Sequence, residues 1–281
     1  MPIVTFWSNN KQAIGQTVSA ATAATMMALE RNYKILLISV DFNDKTIENC
    51  FGSQESNKEI IKSLIKTPQM NLDSGITGIL KLADSNRLTP EVIQDYTKII
   101  FNNRLEILYA PQNVDSSRQE QINFMAKYKN IILNAARFYD YVFVDLKKGM
   151  ISDTQAELLD LSDVIVMNVG QGIKEINNNL KTEYIKKISD KFVWNICRYD
   201  SKSKYNIKNI TRTVLKREMV YAIPYNTLLA EAAQDGGVPE LMIRFRTLKE
   251  NEGDNFLLIS QLKELNEGVI QKYHELRAGI K

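Results

Sequence analysis

The sequence predicts an α/β protein: a single doubly wound, mostly parallel twisted sheet with helices on both faces. Three observations carry that expectation. Short, continuously apolar runs such as Ile3-Val4-Thr5-Phe6-Trp7 and Tyr141-Val142-Phe143-Val144 recur along the chain. Longer segments of helical character separate them. The runs do not alternate apolar with polar residues, which marks strands covered on both faces, as crossover helices cover a parallel sheet.

The elements follow in order. Residues 3–7 are the first strand, and the Ala-rich residues 16–31 read as a helix. Residues 34–39 form a second buried strand. Residues 50–103 read as an insertion between strands, expected to be helical, with a break at residues 72–75. Residues 105–109 make a third strand, closed by Ala110-Pro111. A helix ending near Phe138 leads to a fourth strand at 141–145. Residues 163–168 and 192–195 are two more, with a helix from about 174 to 188 between them, and 220–223 is a short last strand. Near the C-terminus Leu258, Leu262, Leu265, Val269, Tyr273 and Leu276 recur at three/four spacing, one stripe of a helix. Lys263, Glu264, Glu267, Lys272, Glu275 and Arg277 lie opposite. A membrane-surface helix is more uniformly basic, so residues 254–279 are expected to pack on or beside the sheet, with a partner or dimer helix as the other reading. No linker, repeat or low-complexity tract interrupts residues 1–281, which implies one domain.

Composition excludes several chemistries. With 44% apolar and 25% charged residues, the 281-residue chain can bury a sizeable core. A formal net charge of +3 is too small by itself to argue for nucleic acid or an anionic membrane. Cys50 and Cys197 are the two cysteines and His274 the one histidine, so zinc sites and Ser-His-Asp or Cys-His catalysis are not expected. Met1 leads almost at once into a strand, without a basic n-region or cleavage site, and no apolar run approaches ~20 residues. A cytoplasmic protein with no transmembrane segment is the expectation.

In open parallel sheets, ligands bind beyond the carboxyl ends of strands. Here those ends carry Asn10-Lys11-Gln12-Ala13-Ile14-Gly15-Gln16-Thr17, then Ser39-Val40-Asp41-Phe42-Asn43, Asp145-Leu146-Lys147-Lys148-Gly149, Asn195, and Ile223-Pro224-Tyr225-Asn226. Strand, loop and helix around Gly15 give the context of a phosphate-binding loop. Asp and Asn at these places also serve as helix caps.

Taken as an ordered set, these residues resemble the ParA/MinD family of deviant-Walker ATPases. That family's K-G-G-x-G-K-T loop aligns with Lys11, Gln12, Ala13, Ile14, Gly15, Gln16 and Thr17, so the phosphate lysine is Gln16 and two glycines are lost. Of the family's Asp-x-Asp pair, Ser39 replaces the first and Asp41 matches the second. Tyr139-Asp140-Tyr141-Val142-Phe143-Val144-Asp145 resembles its Walker B strand. Ile223-Pro224, Ala230-Glu231-Ala232 and Gly236-Gly237-Val238-Pro239 look like its C-terminal signature. Within the family the chain is most similar to the TadZ/CpaE branch of Tad/Flp pilus assembly, through residues 72–80 and Arg104-Leu105-Glu106-Ile107-Leu108-Tyr109-Ala110-Pro111.

The resemblance implies ATP and Mg²⁺ as cofactors. It places Lys11, Gly15, Gln16, Thr17 and Val18 about the nucleotide, with Asn195 reading adenine and Pro224 and Tyr225 beside it. It gives Thr17, Asp41 and Asp145 to the metal, Asp41 to positioning the attacking water, and Lys11 to reaching across a nucleotide-sandwich homodimer. Gln16 offers only neutral amide donors where a lysine offers full charge. At most slow hydrolysis is therefore implied. The expected function is an ATP-binding, weakly or non-hydrolysing switch or scaffold that localises a larger assembly, such as a Tad/Flp pilus or secretion apparatus, through protein partners. Two alternatives stand beside it. One is a DNA-binding partition ATPase, using Arg198, Lys202, Lys204, Lys208, Arg212, Lys216, Arg217, Arg244, Arg246 and Lys249; the other is an interaction protein without nucleotide. Lys147 and Lys148 are unusual after the Walker B acid and are either phosphate-facing charge or solvated loop lysines.

Overall fold

A computed structural model describes residues 1–42, 44–52, 75–84, 88–111, 118–216, 218–250 and 253–279. Its strands are β1 (Ile3–Trp7), β2 (Ile35–Val40), β3 (Lys98–Phe101), β4 (Leu105–Leu108), β5 (Tyr141–Leu146), β6 (Val164–Val169), β7 (Phe192–Tyr199) and β8 (Val220–Pro224). They form one sheet in the order β3-β4-β2-β5-β1-β6-β7-β8, with every pairing parallel except β3 with β4. The antiparallel edge strand lies inside the segment expected to be helical. The described helices here are α2 (Thr46–Phe51), whose end enters the segment, α3 (Gly75–Asp84) and α4 (Pro90–Gln94). The expected break at 72–75 falls largely outside the described residues.

The strands are apolar throughout because both faces are covered. In β1, Val4 and Phe6 enter one core layer and Ile3 and Trp7 the other. The first layer is closed by α1 (Gln16–Glu30), α2, α10 (Thr227–Asp235), α11 (Val238–Phe245) and α12 (Gly253–Arg277). The second is closed by α3, α4, α5 (Arg118–Ala135), α6 (Asp153–Leu161), α7 (Ile173–Lys181), α8 (Glu183–Ile188) and α9 (Ile207–Thr213). Helix α1 is buried nearly all round, as a helix without a polar face must be. Its small residues Ala20, Ala21, Ala23 and Ala24 let it lie close against the sheet below α11 and α12. Where residues 174–188 read as one helix, Thr182 divides α7 from α8. Helix α12 packs along β6, β7 and β8 and against α1. Gly268 permits that approach, since a methyl at this position would run into the Tyr221 ring.

Strand β5 pairs with both β1 and β2, which sets Asp145 level with Phe6 and Ser39. The ends of β1, β2 and β5 therefore open at one edge of the sheet. On β4, buried Glu106 is satisfied by Tyr139 Oη, Thr97 Oγ1 and Gln94 Nε2, with Lys34 Nζ 3.4 Å away. A buried charge needs such partners to persist.

Candidate functional site

The loop after β1 is shaped by its own polar residues. Asn10 N–H donates to Ser8 Oγ at 3.1 Å and Gln12 N–H to Asn10 Oδ1 at 2.9 Å. Gly149 N–H donates to the Ser8 carbonyl at 2.8 Å, which ties this loop to the one following β5. Gly15 starts α1 at φ 103°, in the left-handed region that favours glycine, and no side chain caps the helix. The first-turn N–H groups of α1 therefore present an uncapped, partly positive helix end at the strand edge.

Gln16 sits directly behind that end and is only 4% exposed. Its Nε2 group donates to Asp145 Oδ1 at 2.8 Å, the Leu146 carbonyl at 2.7 Å and the Phe6 carbonyl at 3.2 Å. The amide donors expected at a phosphate are thus directed inward. The cause is the burial of Asp145, a carboxyl taken wholly out of water that requires donors. Burial drives its pKa up to about 7, the Gln16 amide and Thr17 hydroxyl pull it back, and the charges of Asp41 and Asp44 add to the rise. Near neutral pH the group stands between its two protonation states.

Beside this pair opens a charged cleft of about 700 Å³, lined among others by Lys11, Asp41, Asp44, Lys147, Lys148 and Gly149. Asp41 is buried, and Lys148 Nζ lies 3.6 Å from its Oδ2 and 3.1 Å from Asp44 Oδ2. Asp44 Oδ1 in turn accepts from Thr46 N–H at 2.7 Å, at the start of α2. Desolvation lifts the Asp41 carboxyl above its ordinary value against the pull of Lys148. Asp44 is desolvated too, but its Thr46 and Lys148 hydrogen bonds leave it below the ordinary value. Lys11 is exposed on the rim, its stem passing Gly149 where a Cβ would lie 3.4 Å from Lys11 Cγ.

A second cleft, of about 260 Å³, lies on the other side of Gly15. Gly15, Val18, Cys197, Arg198, Pro224 and Tyr225 are among its lining residues. Asn226 caps α10 by accepting from Leu229 N–H at 3.0 Å, and so fixes the turn after β8. Asn195 does not reach this cleft. It is fully buried in the middle of β7, donating from Nδ2 to Asn168 Oδ1 at 2.8 Å. The strand runs four residues beyond it, so Cys197 and Arg198 stand where an adenine-reading residue was expected. Arg198 adopts φ 51°, uncommon for a non-glycine residue, and its side chain passes over Gly15.

The structure thus brings Lys11, Gly15, Gln16, Thr17, Val18, Asp41, Asp145, Pro224 and Tyr225 to one edge of the sheet and leaves Asn195 in the core. Sequence reasoning missed Asp44 and the placement of Arg198. Asp44 had a readable signal, as a second acid three residues after Asp41; Arg198 was noticed only as one of many basic residues. Of those, Lys208 and Arg212 lie on α9, Lys202 and Lys204 just before it, and Arg244 on α11. They are divided among separate elements, and Arg217 falls outside the described residues. Among the described residues, no three His, Cys, Asp or Glu side chains form a metal-binding group, and no helix is long and apolar enough to cross a membrane.

No protein-family model matches the sequence, and no curated protein matches it significantly. Solved structures do match. The ParA family ATPase of Chlorobium tepidum TLS is similar over 97% of this chain and 99% of its own, with TM-score 0.64 and 16% identity. The MinC:MinD cell division complex of Aquifex aeolicus matches over 96% of each chain, with TM-score 0.61 and 16% identity. The septum site-determining protein MinD of Pyrococcus horikoshii OT3, complexed with Mg-ADP, matches over 95% of each, with TM-score 0.61 and 15% identity. The chain has the fold of the ParA/MinD ATPases.

Proposed function

We propose that this chain is a nucleotide-binding switch or scaffold of the ParA/MinD type, with weak or absent hydrolysis. One observation carries the reading. A single loop, Lys11 to Gly15, joins a cleft lined by three lysines and three aspartates to a second cleft bordered by Pro224 and Tyr225, across the uncapped N-terminus of α1. An elongated ligand with a flat ring at one end and phosphates at the other suits that layout. The ring would lie by Pro224 and Tyr225, the phosphates on the α1 N–H groups between Gly15 and Val18 and among Lys11, Lys147 and Lys148. That phosphate grip belongs to the backbone, so it survives the loss of a lysine at position 16.

Efficient turnover is not supported. Phosphoryl transfer depends on stabilising developing charge, and Gln16 brings none. Asp41, the candidate for orienting water, is tied to Lys148. Thr17 and Asp145 would hold Mg²⁺ through the hydroxyl and, by water, the carboxylate. Lys148 opposes this, because it already holds Asp41, the third residue expected at the metal, and an ammonium there repels a nearby divalent cation. The residues fit a nucleotide better than they fit a nucleotide with its metal.

The output of such a switch is contact with other proteins. Localising a Tad/Flp pilus or a related secretion apparatus is the specific form we favour, from the TadZ/CpaE-like segments, with a homodimer closed over nucleotide as the working state and Lys11 on its facing surface. A fluorescent ATP analogue titrated into the purified chain, then competed with ATP, ADP and GTP, tests the reading. Saturable binding displaced by adenine nucleotides supports it; no binding up to about millimolar ligand, a standard free energy of about −4 kcal/mol, rejects it.

A further inference from the structure

The two lysines after Asp145 are not explained by the family pattern. Lys148 is partly buried and reaches across to the β2 end, where its ammonium contacts Asp44 at 3.1 Å and Asp41 at 3.6 Å. Lys11 and Lys147 line the same cleft. Position 16, buried at the start of α1, is a neutral amide turned onto Asp145. The positive charge of this site is therefore carried by Lys11, Lys147 and Lys148, with none at position 16. An ammonium has three N–H donors on a flexible stem. Asp44 accepts one of them at 3.1 Å, Asp41 lies 3.6 Å from the nitrogen, and Lys148 itself lines the charged cleft. A cation that joins carboxylates to a phosphate is the part a divalent metal plays beside nucleotides.

We infer that Lys148 bridges Asp41 and Asp44 to the phosphates in place of a divalent cation, so that the chain binds nucleotide without Mg²⁺. The inference rests on the nucleotide-binding reading and names the cation that completes it. It differs from a role for Lys11, which is exposed on the rim and contacts neither acid.

The test is equilibrium binding of ATP to the full chain in excess Mg²⁺ and in excess EDTA, for wild type, Lys148→Met, Lys148→Arg and Lys11→Met, each first shown to melt cooperatively. The wild-type dissociation constant is expected to differ by no more than about threefold between the two buffers. Lys148→Met is expected to weaken binding in EDTA by about ten- to a hundredfold, the loss of one charge-assisted contact. It should regain part of that loss with Mg²⁺, because the released acids then accept the metal. Lys148→Arg should keep most of the affinity, and Lys11→Met should cost less than Lys148→Met. A wild-type affinity that falls by more than about tenfold in EDTA, or a Lys148→Met variant that binds like wild type there, overturns the inference while leaving nucleotide binding intact. Absence of wild-type binding in both buffers overturns the nucleotide reading and this inference with it.

Discussion

Replacing Asp145 with Asn takes a buried, titrating carboxyl out of the centre of the site while keeping its shape and its acceptor for Gln16 Nε2. In the folded chain the pKa of Asp145 stands at about 7, against an ordinary value of 3.8, because the group is fully buried. The sign follows from proton counting. Between about pH 4 and pH 7 the folded chain holds a proton that the unfolded chain has released, so rising pH favours unfolding. The cost of this acid is absent below pH 4, grows through the window and levels off above pH 7. At about 1.4 kcal/mol for each tenfold in proton affinity, the whole window amounts to about 4 kcal/mol, and the part between pH 5 and pH 8 to about 3 kcal/mol. Asparagine has no such dependence. Urea denaturation of both chains, without nucleotide, at pH 5 and pH 8 reads the effect directly. The stability of Asp145→Asn relative to wild type should rise by about 3 kcal/mol from the lower to the higher pH. Parallel pH curves for the two chains would show that Asp145 is ionised throughout, and that the Gln16 contact is an ordinary amide–carboxylate bond.

Three further outcomes are expected. Gln16→Lys sets an ammonium against the buried Asp145 and should lower that carboxyl's pKa, flattening the pH dependence of stability between pH 5 and pH 8; a dependence as steep as that of wild type in the same urea titrations would mean that side chain 16 does not face Asp145. Gly15→Ala meets no atom closer than 3.8 Å, so its cost is the left-handed backbone alone, about 1–2 kcal/mol in a thermal melt; unchanged or increased stability would contradict the geometry at the start of α1. Gly268→Ala drives a methyl into Tyr221 and should cost about 1–3 kcal/mol, relieved when Tyr221 is shortened to Leu; a neutral single variant would place α12 differently on β8.

Most of the sheet was legible because its strands are apolar on both faces and stand out as continuous runs. β3 was not: it has four residues, begins with Lys98, lies half-exposed at an edge and follows a run of helices. Strand ends were harder to read than strands. Asn195 looked terminal because a polar residue ended the run Phe192-Val193-Trp194. Ile196 and Cys197 continue the apolar strand past it, and Asn168 supplies the buried partner that lets an amide sit there. That partner comes from the neighbouring strand, 27 positions away, and no local pattern reveals it. The candidate site divides in the same way. Which residues gather at the strand edge was readable from order along the chain. What Gln16 and Lys148 do was not, since each answers a charge from another strand: Gln16 the buried Asp145, Lys148 the acids after β2.

In the proposed mode of binding, one loop and the start of one helix hold a nucleotide between two clefts. Amide chemical shifts of the isotope-labelled chain, followed as ATP is added, place the ligand without relying on turnover. Gly15, Gln16, Thr17 and Val18 should shift together with Cys197 and Tyr225, all saturating at one ligand concentration. No shifts up to about millimolar ATP, or shifts confined to α12 and the far end of the sheet, would contradict it.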